Sequence, residues 1–165
     1  MTHVRHALLL LLAFVLQTTW VHLLAIADLR PDLILVVLVQ IALRSQQAEA
    51  TLLGFGVGVL QDLYMPADLG LRALAGSLVG FAVSQGRTGV VADSPQVQLA
   101  FLCGAAVVHD LVCYLGSSGI SLLSAPAYWL AQGLGQGLYT IVLGAAVAMA
   151  LQVRRSLLRR GQPEP

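Results

Sequence analysis

The charged residues of this chain collect in short breaks between long apolar runs. Arg5 precedes the first run, Asp28, Arg30 and Asp32 follow it, and Arg44 and Glu49 separate the second from the third. A hydrocarbon core about 30 Å thick demands that segregation, because a helix crossing it needs about 20 mostly apolar residues with every backbone polar group satisfied internally. Of the 165 residues, 58% are hydrophobic and only 10% charged, against about 25% charged in soluble domains. An ordinary soluble fold is excluded, and an all-α integral membrane protein is expected.

Six runs emerge, at about 7–27, 31–47, 50–65, 69–86, 97–115 and 125–153. They predict one transmembrane domain over 1–153, a compact bundle of six helices, followed by a basic cytoplasmic tail over 154–165. Ala25-Ile26-Ala27 resembles a signal-peptidase site, which would leave five spans. Gln17, Thr18, Thr19, Trp20 and His22 before it argue for a retained helix. Pro31 is expected in the first turn of the second helix, with Asp32 favouring the positive end of its dipole. Pro66, Pro95 and Pro126 mark turns.

Orientation follows from the arginines, the only basic residues besides four histidines. With the amino terminus inside, Arg5, Arg44, Arg87, Arg154, Arg155, Arg159 and Arg160 are cytoplasmic, and only Arg30 and Arg72 fall outside. That split satisfies the positive-inside rule. The tail arginines then face the anionic inner leaflet. The outer layer gathers Asp28, Asp32, Asp62, Asp68 and Asp110 against two arginines, an acidic balance suited to a basic partner segment.

An ionisable group within a span costs about 2.5–3.5 kcal/mol at the bilayer centre on insertion scales. Asp62, Arg72 and Asp110, the last beside His109, are therefore functional candidates. Asp62 and Arg72 flank the turn near Ala67 symmetrically, and an antiparallel hairpin would set them level as a pair. Val57–Leu63 weakly echoes 105–111, each stretch holding an aspartate near its outer end. Gly54-x-x-x-Gly58, Gly76-x-x-x-Gly80 and Gly133-x-x-x-Gly137 predict close helix contacts, within the chain or with a partner. Gln132 and Gln136 are set to add hydrogen bonds between helices. Cys103 and Cys113, inside one apolar run, are expected as packing residues rather than a disulfide or metal pair.

Catalytic arrangements are missing from the sequence. Neither aspartate stands in a Gly-x-Gly-Asp setting, Gly-x-Ser-x-Gly does not occur, and Ser117-Ser118-Gly119 reads as a polar turn. The histidines lack metal-ligand spacing; His3 and His6 are terminal, and His22 and His109 isolated. No glycine loop ends in Lys-Ser or Lys-Thr, so nucleotide binding is excluded. No enzyme, metal or cofactor is expected.

The order of motifs resembles a known family. Gln17-Thr18, Pro31-Asp32-Leu33-Ile34-Leu35, Ala42-Leu43-Arg44, Gly54-Phe55-x-x-Gly58-x-x-x-Asp62-Leu63 and Gly70-Leu71-x-Ala73-Leu74 are similar, in order and spacing, to the rod shape-determining protein MreD family. The resemblance covers 17–81; beyond residue 97 it is one of hydropathy alone and carries no role to Asp110. It implies a non-enzymatic scaffold of the bacterial cell-elongation (rod-shape) complex in the inner membrane. The partner would be MreC-like and bitopic, linking MreB filaments to a RodA-type peptidoglycan glycosyltransferase and its transpeptidase. Pro31, Asp32, Gly54, Phe55, Gly58, Asp62, Gly70 and Arg72 would be its partner-binding or structural residues. The family's six-helix arrangement also resembles the substrate-binding subunits of energy-coupling-factor transporters, so a small-molecule-binding transport subunit is the alternative. Trp20, Tyr64, Tyr114, Tyr128 and Trp129 near outer ends fit an interfacial belt as well as a pocket.

Overall fold

The computed structural model describes residues 2–24, 32–64, 69–87 and 94–116, with residues 135, 137, 139–142, 144–146 and 149 of a later segment. All the regular structure among them is helical: α1 (Thr2–Leu24), α2 (Leu33–Ala42), α3 (Gln47–Tyr64), α4 (Leu71–Gly86), α5 (Pro95–Gly116), and helical backbone again at the described positions of 135–149. Among the described residues α5, at 22 residues, is the one helix that by length and composition alone suffices to cross a bilayer. Shorter apolar stretches run over His3–Thr19 and Leu33–Ala42.

The second helix sits at the centre. Ile34, Leu35, Val36, Leu38, Val39, Ile41 and Ala42 are all buried, as suits a helix apolar on every side. Its start differs from the expectation. Asp32 is the N-cap, extended at φ −92° and ψ 90°, and its side chain accepts the Leu35 N–H at 2.9 Å. That bond satisfies a donor the first turn leaves open. Pro31 lies outside the described residues.

The run expected over 31–47 contracts to ten helical residues, a rise of about 15 Å, half the hydrocarbon thickness. Arg44 N–H and Ser45 N–H both donate to the Ile41 carbonyl, at 2.9 and 2.8 Å, which tightens the chain into a turn. Leu43 and Ser45 are buried there. Irregular backbone is tolerated at membrane depth only where protein covers it.

The hairpin of α3 and α4 is the closest contact in the molecule, and glycine makes it possible. A Cβ on Gly54 would run into the Gly76 carbonyl, one on Gly58 into the backbone of Arg72 and Ala73, and one on Gly80 into Ala50. Two of the three small-residue motifs are thus spent within the chain, where the backbones touch. Gly133 of the third lies outside the described residues, as do Gln132 and Gln136; a Cβ on Gly137 meets no described atom within 4 Å.

Ser94 caps α5 through its hydroxyl, which accepts the Val97 N–H at 3.3 Å, and Pro95 takes the first helical position. α5 packs antiparallel on α4, with Gly86 against the Phe101 ring and Gly116 against Leu71. Gly144 rests on Leu102 and Val36, which places the 135–149 segment against α5 and α2. α1 is the least embedded helix: among its described side chains only Leu10 and Ala13 are buried, and Val4, Leu8, Leu9, Leu11, Leu12, Val15 and Leu16 are exposed. A continuous apolar exterior is what a lipid-facing surface requires.

Candidate functional site

Alternation of the helices brings the charged candidates to one end. Asp32 starts α2, Asp62 ends α3, Arg72 starts α4, and His109 and Asp110 lie in the last two turns of α5. The opposite end holds Arg5, Arg44, Glu49 and Arg87.

Asp62 is the best-satisfied of these groups. It is 3% exposed, and its carboxylate accepts three backbone N–H donors from the start of α4. Oδ2 receives Gly70 and Ala73, each at 3.0 Å, and Oδ1 receives Arg72 at 3.1 Å. The local sequence explains the need. Gly70, the N-cap of α4, has φ +95°, a left-handed conformation that favours glycine, and has no side chain with which to cap the helix. The preceding helix supplies the carboxylate instead, opposite the positive end of the dipole. Asp62 thus meets Arg72 through its backbone amide. Backbone donors at a helix start are fixed in place and cost no side-chain ordering.

The other candidates are arranged differently. His109 Nδ1 lies 3.6 Å from the Asp110 carboxylate, whose side chain is 42% exposed. The two aspartates of the internal echo therefore play unlike parts, one buried as a cap and the other partly open. Asp32 N–H donates to the Thr140 hydroxyl at 3.1 Å, tying α2 to the later segment. Gln17, from the motif in the first run, accepts the Leu33 N–H at 2.7 Å and fastens α1 to the start of α2. Gly54 and Phe55 differ in exposure: Gly54 is buried against α4, and Phe55 is 52% exposed and lines a groove of about 450 Å³ together with Asp62 and Ser77.

Two polar contacts went unforeseen. Gln40 Nε2 donates to Gln98 Oε1 at 3.1 Å, linking α2 to α5; amides inside two apolar runs were their only signal. At the other end of the molecule, His3 Nδ1 and His6 Nδ1 each stand 2.8 Å from Glu49 Oε1, and Ser45 Oγ is 3.3 Å from His6 Nδ1. The His-x-x-His spacing puts both rings on one helix face, but only tertiary structure brings Glu49 to them. The His6 hydrogen bond holds the Glu49 carboxyl below its ordinary range. Cys103 and Cys113 are free and partly buried, and the described residues contain no cluster able to hold a metal ion.

The polar groups at the Asp62 end thus close helix starts and join helices. No curated protein and no solved structure matches the chain. One family model does, that of the rod shape-determining protein MreD, over residues 1–158. The match runs far past the 17–81 stretch that carries the motifs, through α5 and the segment packed on it, and the chain belongs to the MreD family of rod shape-determining membrane proteins.

Proposed function

We propose that this chain is a non-enzymatic scaffold of the cell-elongation complex, seated in the inner membrane with six spans and both termini in the cytoplasm. It holds an MreC-like bitopic partner, and through that partner helps link MreB filaments to a RodA-type glycosyltransferase and its transpeptidase. Membership of the MreD family supports the reading. So do the arginine distribution and the way α1 is tied to the bundle through Leu10, Ala13 and Gln17.

One observation carries the mode of action. The most deeply buried carboxylate, Asp62, is filled by three backbone donors, so its chemistry is spent on structure. What the α3–α4 hairpin offers outward is apolar: Leu52, Phe55, Leu63, Leu74, Leu78 and Phe81 are exposed. Recognition then proceeds through helix faces in the membrane, without turnover. Because the Gly54 and Gly58 face is consumed by α4, the partner surface lies on the Phe55 side.

The test is co-purification in detergent with a single-span MreC-like protein. Wild type should capture it; Phe55→Ala combined with Leu78→Ala should lower capture about tenfold, as loss of an aromatic anchor does, with the protein still folded. Failure of wild type to capture such a partner, together with tight binding of a vitamin-like solute, would replace the scaffold by a transport subunit.

A further inference from the structure

His3, His6 and Glu49 form a cluster of ionisable side chains at the end opposite Asp62. We propose that these three residues form a proton-sensitive clasp that sets how firmly α1 is held against α3.

Three observations carry this. First, α1 is weakly anchored by burial, with only Leu10 and Ala13 buried among its described side chains. Beside these, an edge-to-face contact of Phe14 with Tyr64 of α3, ring centroids 6.4 Å apart, and polar ties at each end hold it. The tie at the outer end, Gln17 to Leu33 N–H, contains no titratable group. The tie at the other end consists of two imidazoles converging at 2.8 Å on one carboxylate oxygen. Second, Glu49 is only 14% exposed in its side chain, and His6 22%, so the central pair is partly shielded from solvent. Third, a groove of about 570 Å³ lies between α1 and α3, with Val4, Leu8, Leu11, Leu52, Gly56 and Leu60 in its lining. Val4 lies between the two histidines in sequence, and Leu52 lies one turn beyond Glu49. Loosening the clasp releases that edge of the groove.

The other charged groups at this end of the packed elements are Arg5 on α1, Arg44 in the turn before α3 and Arg87 at the end of α4, with Asp62 at the far end of α3; arginine keeps a fixed charge. A charged imidazole binds a carboxylate more strongly than a neutral one does. Glu49, held below its ordinary 4.5 by the His6 bond, contributes above that value and loses its part only as pH falls through the lowered one. Histidine loses its charge between about pH 5 and 8. The clasp is therefore tighter where imidazole carries charge and the Glu49 carboxylate is ionised, and looser above that range.

Hydrogen–deuterium exchange of the full-length protein in detergent tests this, reading peptides from residues 2–10 at pH 6 and pH 8 after correction for intrinsic exchange. Wild type should be protected about fivefold more at pH 6, the gain of a charged over a neutral hydrogen bond. Glu49→Gln keeps an acceptor oxygen but no charge, and should show low protection at both pH values. His6→Gln should lose most of the difference. Peptides from α5 serve as the folding control and should exchange alike in all three proteins. Equal protection of the wild type at both pH values would overturn the proposal, as would a pH difference that survives in Glu49→Gln.

Discussion

Gly54 and Gly76 meet backbone to backbone where α3 crosses α4, and neither could carry a side chain without displacing the other's carbonyl. This contact, with Gly58 on Ala73 and Gly80 on Ala50 along the same seam, holds together helices whose outward faces are apolar. In lipid there is no hydrophobic gain from joining two such faces, so close backbone approach and hydrogen bonds must supply the association.

Gly54→Leu should therefore break the hairpin. Overpacking a filled site costs about 1–3 kcal/mol, and here the obstacle is backbone, which does not swing aside. Gly56→Ala, on the far side of α3 from Gly54, meets nothing within 4 Å and should be close to neutral. Unfolding by sodium dodecyl sulfate titration of both variants separates the outcomes; equal stabilities would remove the seam as the basis of the hairpin.

Asp62→Asn should destabilise by about 1–3 kcal/mol, the cost of leaving a buried backbone donor unsatisfied. Asparagine offers one acceptor oxygen where the carboxylate serves three N–H groups. Arg72→Gln leaves its backbone amide in place, so the Arg72 N–H bond to Asp62 should survive that substitution. Asp62→Asn as stable as wild type in a sodium dodecyl sulfate titration would remove the carboxylate as the cap of α4.

Reporter fusions give the orientation. Junctions after Gln47, Gly89 and Gln162 should report cytoplasm, and junctions near Ala67 and Ser118 the outside. A periplasmic signal at Gln162 contradicts the arginine assignment.

Changing Arg154, Arg155, Arg159 and Arg160 to Gln should weaken association of the tail with anionic vesicles, each arginine contributing about 1 kcal/mol near such a surface. The measurement is tail-peptide binding to vesicles with and without anionic lipid. Unchanged binding assigns the charges to orientation alone or to a protein contact.

Several features were legible in the residues because they are local. The segregation of charge from apolar runs marks where helices lie, since lipid leaves the backbone no other solution. The ordered motifs from Gln17 to Leu74 pointed to a family whose model extends to residue 158, whereas Pro95, expected in a turn, takes the first helical position of α5 behind the Ser94 cap. Helix ends were less legible. α1 starts at Thr2 rather than near residue 7 because backbone bonding continues past the last apolar side chain, and α2 stops at Ala42 because two amides compete for the Ile41 carbonyl.

What only tertiary structure decided is which partner each polar group takes. The sequence by itself determined that Asp62 stands near a turn and must be compensated. That backbone amides of α4 reach it depends on the closeness of α3 and α4, which the paired glycines set. Likewise His3 and His6 determine a polar helix face, while Glu49, 43 residues beyond His6, reaches it only because α1 and α3 run parallel around α2. Spacing along a chain specifies faces; the distance across them belongs to packing, where a single missing Cβ changes which atoms can touch.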